Sequence, residues 1–263
     1  MVVLLGWDRC PPACRSPSPG GLHADRGRYP SRQVIGCQAG RWSRSSRRGL
    51  GQPGIRFPAS YGEAVDGDRT QVLLVDLGGV LYSFDHEHRL NVLGECFGLP
   101  PGRVDELLWQ SGFSASCDAG RYRDAAAIRA QIRRITGYAG PDERLDAAWC
   151  SAFRPDRDVI ELLARHPGGR RGVFTNNGPL EEEVLTRLYP DAFGPFEHLF
   201  FCWRLTANKP DPAVYRQVTD LLAVPPGQIS FADDSADNIE AARACGWNAV
   251  RYSSPGDLGA LIG

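Results

Sequence analysis

The sequence contains very little lysine and methionine, and its apolar runs are short. Lys209 is the only lysine among 263 residues, and every other long cationic side chain is arginine. No apolar run approaches the roughly 20 residues that a membrane-spanning helix needs, and the apolar start is shorter than a secretory signal core. These absences predict a cytoplasmic protein without a membrane partner. A unique lysine also suggests that position 209 requires a compact ammonium group.

The eight cysteines are scattered along the chain without a close repeated pair. This spacing indicates neither a disulfide framework nor a zinc-binding motif. With 42% hydrophobic and 23% charged residues, the chain has enough apolar side chains for a globular core. Most of the cysteines are therefore expected to be small core residues.

The first part of the chain differs in composition from the rest. Residues 1–56 carry ten arginines but only two acidic residues, Asp8 and Asp25. Segment 1–69 is rich in Arg, Ser, Gly and Pro and lacks sustained apolar periodicity, so we expect a disordered extension. A transit peptide, a nucleic-acid-binding tail and a translation start assigned upstream of the true one are alternatives. Few aromatic residues lie between the arginines, so a tail without a binding function is favoured. No nucleic-acid partner is predicted.

Five short apolar runs are typical of buried strands in a parallel sheet. The first run ends at Asp76, and a Gly-Gly turn follows it. The later runs have five or six residues and the same apolar character. The runs are residues 71–75, 171–175, 197–202, 228–232 and 248–252.

Helical patterns separate the later runs. Asp211 and Pro212 provide an N-cap and a first-turn proline, and Gly246 is a helix stop. Alternation of strand and helix is typical of a doubly wound parallel sheet. We therefore predict a Rossmann-like α/β core formed by residues 70–86 and 169–263.

Residues 87–168 interrupt this alternation. Apolar residues recur at helical spacing through the segment, and no convincing strand is recognised. We predict an all-helical cap inserted after the first strand, covering the carboxyl ends of the sheet, where open α/β sheets bind ligands. Four aromatic residues of the segment are expected in its core rather than in a substrate pocket. They are Trp109, Phe113, Tyr122 and Trp149.

Polar residues follow the predicted strands at four places, and a parallel sheet brings such positions to one edge. They comprise a carboxylate, a hydroxyl, an ammonium and a pair of carboxylates suited to a hard cation. This set fits phosphoryl transfer, because a dianionic phosphate approaches an aspartate only when positive groups neutralise its charge. The residues are Asp76, Thr175, Lys209 and the pair Asp233-Asp234.

At these residues the chain, from about 71 to 255, resembles the haloacid dehalogenase-like (HAD) hydrolases, and in particular a subgroup with helical caps and an Asp-Leu-Gly-Gly first motif. All four motifs of the superfamily are recognisable. They are Val-Asp76-Leu-Gly-Gly-Val-Leu, Val-Phe-Thr175-Asn-Asn-Gly, Asn-Lys209-Pro-Asp-Pro-Ala-Val-Tyr and Phe-Ala-Asp233-Asp234-Ser-Ala-Asp-Asn238. The resemblance implies an α/β core with a small helical cap that selects the substrate.

The resemblance also implies the catalytic roles. Asp76 is expected to attack phosphorus and form an aspartyl-phosphate. Thr175, Asn176 and neighbouring backbone N–H groups are expected to hold the phosphoryl oxygens. Lys209 is expected to bridge the nucleophile and the phosphate.

A Mg²⁺ site is implied in the same way. Its expected ligands are Asp76, the backbone carbonyl of Gly78, and Asp234. Asp233 and Asn238 are expected to support the site by orienting the metal's waters or the lysine. The resulting prediction is a magnesium-dependent hydrolase of small phosphomonoesters, with sugar phosphates as one candidate class.

Gly78 departs from the pattern of this superfamily, whose phosphatases usually have a second aspartate there as general acid and base. Such assistance is typically worth about 10²–10⁴-fold in rate. One alternative is therefore a catalytically weak phosphate-binding or regulatory protein. Asp85, His86 and His88 lie just beyond the first motif and are candidates for the missing general acid and base. For each of them singly, an ordinary solvated residue is the favoured interpretation.

A 2-haloacid dehalogenase is a third and weaker alternative. Those enzymes resemble this chain but have a tyrosine where it has Gly78, and they need no metal. The Asp233-Asp234 pair therefore favours phosphate chemistry. The sequence leaves the substrate and the oligomeric state open.

Overall fold

The computed structural model describes residues 72–165, 169–205 and 207–262. The extension predicted for residues 1–69 lies outside this part of the chain. Among the helices described, none combines the length and apolar character required to span a membrane.

The structure begins with two strands, continues with a helical segment and then alternates strands with helices. The strands are β1 (Val72–Val75), β2 (Tyr82–Phe84), β3 (Phe153–Pro155), β4 (Arg170–Thr175), β5 (His198–Phe201), β6 (Ile229–Asp233) and β7 (Asn248–Arg251). The first helices are α1 (His86–Phe97), α2 (Pro101–Asp105), α3 (Phe113–Asp118), α4 (Ala125–Thr136), α5 (Asp142–Trp149) and α6 (Arg157–Arg165). The remaining helices are α7 (Pro179–Leu188), α8 (Pro190–Phe193), α9 (Pro212–Leu222), α10 (Ala236–Ala244) and α11 (Pro255–Ile262). A π-helix (Glu106–Gln110) continues α2, and single 3₁₀ turns occupy Cys150–Ala152, Cys202–Arg204 and Pro226–Gln228.

The central sheet has five parallel strands in the order β5-β4-β1-β6-β7. Each coincides within two residues with a run predicted from the sequence. The chain leaves β1 towards one edge and later returns to its other side, so β1 lies at the point where the strand order reverses. In open α/β sheets the ligand crevice forms outside the carboxyl ends at that point.

Helices cover both faces of this sheet, as the doubly wound prediction requires. On β1, Leu73 and Val75 belong to one apolar cluster, which includes residues of α6, α7 and α11. Val72 and Leu74 belong to a second cluster, with residues of α9 and α10. Successive side chains of a strand point to opposite faces, so a strand buried on both faces is apolar throughout.

The predicted helix signals have the expected geometry. Asp211 accepts a hydrogen bond from the Ala213 N–H at 2.8 Å and caps α9, whose first residue is Pro212. Helix α10 ends at Ala244, and Gly246 follows with a positive φ of 86°. This left-handed conformation has little steric cost for glycine.

The segment 87–168 is mainly helical but contains a strand, contrary to the expectation that it has none. Strand β3 pairs antiparallel with β2, with Tyr82 opposite Pro155 and Phe84 opposite Phe153. A strand of three residues is too short to show an alternating pattern, so sequence periodicity does not detect it. The pair brings the beginning and the end of the helical insertion α1–α5 together.

Candidate active site

The carboxyl ends of β1, β4 and β6 bring the predicted polar residues to one edge of the sheet. Asp76 follows β1 directly, and its N–H donates to the Ala232 carbonyl of β6 at 2.9 Å. Thr175 and Asp233 are the last residues of β4 and β6. Residues far apart in sequence therefore meet because parallel strands end together.

Lys209 lies in the loop before α9, and its ammonium reaches the end of β1. Nζ is 3.0 Å from Asp76 Oδ1 and 2.7 Å from Asp233 Oδ2, and it donates to the Phe174 carbonyl at 2.8 Å. The residue is only 4% exposed. Burial by itself lowers the pKa of Lys209, but the carboxylates of Asp76 and Asp233 outweigh it and raise the pKa above its usual value. The lysine is therefore a cation.

Two aromatic rings lie beneath this ammonium. Nζ is 5.1 Å from the ring centroid of Phe174 and 5.2 Å from that of Phe231. Both rings belong to a buried aromatic group with Tyr215 and Trp247. The face of an aromatic ring attracts a cation, and rigid rings fix its position. The ammonium is thus held by two aromatic rings as well as by the oxygens of Asp76, Asp233 and Phe174.

The carboxylate of Asp76 lies beside the Lys209 ammonium, with its Oδ1 3.0 Å from Nζ. Burial raises its pKa to about 6, although Lys209 opposes the shift and Asp233 adds to it. Its Oδ1 also accepts a hydrogen bond from the Leu77 N–H at 2.7 Å. The side chain remains 13% exposed, so part of it is open to a ligand.

Asp233 is fully buried, and the protein itself occupies both of its oxygens. Asn238 Nδ2 lies 3.0 Å from each oxygen, and the Ser235 N–H donates to Oδ1 at 2.9 Å. Together with Lys209 these donors neutralise the buried carboxylate. Tyr215 donates to the carbonyl of Asn238 at 2.9 Å and holds that residue in place.

Three carboxylates form an acidic cluster suited to a hard cation. Asp76, Asp233 and Asp234 each offer one oxygen, and these oxygens lie within 4.8 Å of one another. Asp234 is exposed, and burial and the neighbouring Asp233 raise its pKa. Oxygen ligands of this kind are those that Mg²⁺ prefers. The donor set therefore fits the predicted metal.

Gly79 allows the loop after β1 to approach this cluster. Its φ is 80°, and a Cβ atom there would lie 2.3 Å from Asp234 Oδ2. Real Cβ atoms do not approach an oxygen that closely, so a side chain at position 79 would displace Asp234. The glycine is required both by its backbone conformation and by the space available.

The loop after β4 is tied to the lysine through Asn176. Asn176 Nδ2 donates to the Lys209 carbonyl at 2.8 Å, and the Lys209 N–H donates to Asn176 Oδ1 at 2.9 Å. Thr175 is buried, and its hydroxyl donates to Asn177 Oδ1 at 2.6 Å. Asp76, Asp233 and Asn176 thus contact Lys209 directly. The other predicted site residues adjoin these three in the sequence or through hydrogen bonds, and Gly78 lies in the turn after Asp76.

Comparison with known proteins agrees with this geometry, although no family model matches the chain. A segment of 98 residues, 36% of this chain, is 30% identical to 42% of enolase-phosphatase E1 from Nocardia farcinica. A phosphatase of Mycobacterium tuberculosis is 26% identical over 191 residues, which cover 70% of this chain and 88% of the relative. The match therefore spans less than half of the first relative but most of the second.

A solved structure shows the same fold. It is a HAD family enzyme of Bacteroides thetaiotaomicron in complex with magnesium and inorganic phosphate. Its TM-score is 0.61 at 24% identity, and the match covers 73% of this chain and 99% of the other. The chain therefore has the fold of that HAD family enzyme, and it is similar in sequence to two proteins named as phosphatases.

Aromatic residues surround the position where HAD phosphatases usually have a second aspartate. A Cβ atom on Gly78 would lie 3.6 Å from the rings of Phe84 and Phe153, an ordinary contact distance. Asp85, one candidate for the missing group, accepts a hydrogen bond from the His88 N–H at 2.8 Å and caps α1. That contact accounts for its side chain without a catalytic role.

A cavity of about 490 Å³ lies between the α/β core and the helical insertion. Asn176 and Asn177 line it from the core, whereas His86 and Trp109 line it from the insertion. Trp109 lines the cavity and also packs against the core of the insertion, where its ring stacks on Trp149 with centroids 5.3 Å apart. Phe113 and Trp149 are buried as expected, and Tyr122 is partly buried against the same core.

Sequence reasoning missed three charged residues that line this cavity, namely Arg89, Asp118 and Glu181. Arg89 and Glu181 are 5% and 2% exposed. Arg89 follows His86 by one helical turn, a spacing at which helical side chains meet. That spacing was the feature of the sequence from which a contact between Arg89 and His86 could be predicted. No feature of the sequence distinguishes Glu181 from the acidic residues beside it.

Proposed function

We propose that this chain is a magnesium-dependent hydrolase of small phosphomonoesters, with sugar phosphates among the candidate substrates. The observation that carries the proposal is the buried Lys209 ammonium, which contacts Asp76 and Asp233 beside the exposed Asp234. A phosphate dianion approaches a carboxylate only when positive charge offsets their repulsion. Lys209 supplies one such charge at the nucleophile.

In the proposed reaction an oxygen of Asp76 forms a bond to phosphorus while the bond from phosphorus to the leaving oxygen breaks. The leaving oxygen takes up a proton from a water molecule and departs as an alcohol. Water then attacks the aspartyl-phosphate, which releases inorganic phosphate and restores the Asp76 carboxylate. We propose that Thr175 and backbone N–H groups of the loop after β4 hold the phosphoryl oxygens, for which the Thr175 hydroxyl must exchange its present acceptor, Asn177 Oδ1, for phosphate.

Asp76, Asp234 and the Gly78 carbonyl would hold magnesium. When bound, the ion supplies positive charge that neutralises the phosphoryl oxygens. Asp233 is saturated by hydrogen bonds from the protein, which supports a role in orienting Lys209 rather than binding the ion directly. Asn176 uses both ends of its amide on the Lys209 backbone, which favours positioning over direct contact with phosphate.

The relatives support the same reaction class. The names of the two matched proteins are those of phosphatases, and the solved structure was obtained with magnesium and inorganic phosphate. The insertion α1–α5 is proposed to act as the cap that encloses the substrate, because it forms one wall of the cavity beside Asn176.

Gly78 favours a second candidate function, a phosphate-binding protein with weak turnover. Glycine has no side chain, so position 78 supplies no carboxylate to protonate the leaving group, and the space beside it is lined by Phe84 and Phe153. This candidate retains magnesium-dependent binding of phosphate but lacks efficient release of the alcohol.

A panel of phosphomonoesters that includes an aryl phosphate, assayed with magnesium and with EDTA, tests the proposal. We expect phosphate release only with magnesium, and a loss of at least about 10³-fold in Asp76→Asn. Asp220→Asn, an exposed site on α9, is the matched control and should retain wild-type activity.

Three outcomes contradict the proposal. Phosphate release that Asp76→Asn does not reduce excludes Asp76 as the nucleophile. Magnesium-dependent binding of phosphate without turnover across the panel supports the second candidate function. Metal-independent chloride release from a 2-haloacid supports a dehalogenase.

A further inference from the structure

Arg89 is held rigidly at the wall of the 490 Å³ cavity. Its guanidinium lies 5.0 Å from the ring centroid of Phe84 and 4.4 Å from that of Trp109. Its Nη2 contacts His86 Nδ1 at 2.8 Å. Because guanidinium nitrogens only donate, Nδ1 accepts and the imidazole carries its proton on Nε2. One polar atom of this buried residue, Nε, has no hydrogen-bond partner.

Glu181 provides an unpaired acceptor in the same cavity wall. Its Oε1 accepts a hydrogen bond from Trp149 Nε1 at 2.7 Å, whereas Oε2 has no hydrogen-bond partner. A buried polar atom left unpaired costs about 1–3 kcal/mol. A folded protein that retains such a donor and such an acceptor beside one cavity has polar groups for a ligand to satisfy.

Asp118 adds a second carboxylate to the cavity. It is partly buried on α3, and burial and the neighbouring Glu181 raise its pKa well above the usual range, although Arg89 opposes the shift. Burial likewise raises the pKa of Glu181, and Arg89 is among the groups that oppose it. The cavity therefore combines one cation with two carboxyl groups that resist ionisation.

We propose that this cavity binds the leaving group of the phosphomonoester and that Arg89, Glu181 and Asp118 select neutral leaving groups rich in hydroxyls, namely polyols and sugars. The inference rests on the proposed function. A hydroxyl accepts from a guanidinium N–H and donates to a carboxylate, so one ligand group satisfies both kinds of unpaired atom.

Charged leaving groups are disfavoured by their own hydration. A carboxylate or an ammonium loses water on entering the cavity, a cost that a neutral polyol avoids, and an ammonium in addition meets the Arg89 cation. The exposed face of Phe84, 46% accessible, offers an apolar surface for the C–H face of a sugar ring. The volume lies within the range of about 300–1,000 Å³ usual for small-ligand sites.

The substrate profile of the wild-type protein is the first test. The probes are glucose 1-phosphate and glycerol 2-phosphate for hydroxylated leaving groups, phosphoethanolamine for a cation, phosphoglycolate for an anion and p-nitrophenyl phosphate as an aryl reference. We expect kcat/KM for the better hydroxylated probe to exceed that for either charged probe by at least about 10-fold, as expected when buried polar groups would otherwise stay unpaired.

Conservative variants test the named residues. Arg89→Lys keeps the charge but removes the Nε donor, and Glu181→Gln keeps an acceptor for Trp149 while replacing the unpaired oxygen with a donor. Each should lower the ratio of kcat/KM for the hydroxylated probe to that for the aryl probe by about 10–100-fold, the equivalent of one unsatisfied buried group. Arg103→Lys and Glu106→Gln, an exposed ion pair, are the matched controls and should leave the ratio within about two-fold.

The outcomes separate this inference from the proposed function. A wild-type protein that hydrolyses the aryl probe but prefers a charged leaving group overturns the inference alone. The inference is also overturned if the variants lower kcat/KM for all probes by one common factor, because a purely structural role of these residues gives that result. Asp118→Asn, at a partly exposed position, gives the same ratio test if a buried variant fails to fold. Absence of phosphate release from every probe overturns both.

Discussion

Asn176 and Lys209 exchange two hydrogen bonds, and these join the loop after β4 to the loop that carries the ammonium. The amide nitrogen donates to the lysine carbonyl at 2.8 Å, and the lysine N–H donates to the amide oxygen at 2.9 Å. The side chain of one residue thereby fixes the backbone of the other. Its consequence is the position of Nζ, 3.0 Å from Asp76.

Asn176→Ala should therefore reduce both stability and activity. Loss of two hydrogen bonds lowers the free energy of unfolding by about 1–3 kcal/mol. A displaced ammonium lowers kcat/KM by about 10–100-fold, because catalysis is sensitive to ångström shifts. Urea unfolding and phosphate release measure the two effects, with the exposed Asn91→Ala as control. An increase in KM alone, with stability unchanged, would contradict positioning and indicate direct substrate contact.

Replacement of Lys209 should separate charge from shape. Lys209→Met leaves the carboxylates of Asp76 and Asp233 without their cation, which costs about 3–5 kcal/mol of stability. Lys209→Arg keeps the charge, but a planar guanidinium does not fit among three partners within 3.0 Å of Nζ. We expect its rate of phosphate release to fall at least about 100-fold. An arginine variant as active as the wild type would disprove the need for an ammonium.

Gly79→Ala should weaken magnesium binding. Its Cβ would lie 2.3 Å from Asp234 Oδ2, so the carboxylate must move. Gly98→Ala is the matched control, because position 98 also has a positive φ, of 70°, but nothing lies within 4 Å of its Cβ. Both variants carry a backbone cost of about 1–2 kcal/mol. Calorimetric magnesium titration should show at least about 10-fold weaker binding for Gly79→Ala only, and equal affinities would contradict this.

Two arginines of α4 should differ in their contribution to stability. Arg129 forms two hydrogen bonds to the buried Asp146, at 2.7 and 2.9 Å, whereas Arg133 pairs with the exposed Asp142. Arg129→Met should cost about 1.5–3 kcal/mol, because it removes two hydrogen bonds to a buried carboxylate that keeps Arg187 as its second cation. Arg133→Met should cost about 0–1 kcal/mol. The midpoint of urea unfolding decides, and equal shifts would refute the distinction.

The stability of the metal-free protein should depend on pH through Asp76. Burial raises its pKa from 3.8 to about 6 in the folded state, although Lys209 opposes the shift. The folded protein then binds this proton more tightly, so the stabilising contribution is complete below about pH 4 and is lost as pH rises to about 6.

Asp76→Asn lacks this proton. In EDTA, the free energy of unfolding of the variant minus that of the wild type should therefore increase from about pH 4 to about pH 6 and stay constant above. Urea unfolding across this range measures it. A difference that does not change with pH would show that the pKa is the same in both states.

The strands and the motif residues could be predicted from the sequence. Asp76 and Asp233 each end an apolar run, and a run of four or five apolar residues before a turn specifies a buried parallel strand. Once the strands are placed, their carboxyl ends meet, so the site follows from topology. The exception is β3, whose three residues carry no periodic signal and pair only because β2 lies opposite.

The cavity shows where prediction from the sequence stops. Glu181, Glu182 and Glu183 are consecutive acidic residues near the start of α7, and the first two lie in its first turn, where the helix dipole favours negative charge. Packing separates them: Glu181 is buried against Trp149, Glu182 pairs with Arg204, and Glu183 pairs with Arg129 at the surface.

Local patterns of apolar and polar residues by themselves determined the five strands of the central sheet and the four segments that meet at its carboxyl edge. Only the tertiary structure decided which charged side chains line the cavity beside Asn176 and which of their atoms lack partners. The reason is physical. The periodicity of apolar residues indicates which face of a helix or strand is buried. The hydrogen bond from Trp149 to Glu181, in contrast, depends on how helices distant in sequence pack together.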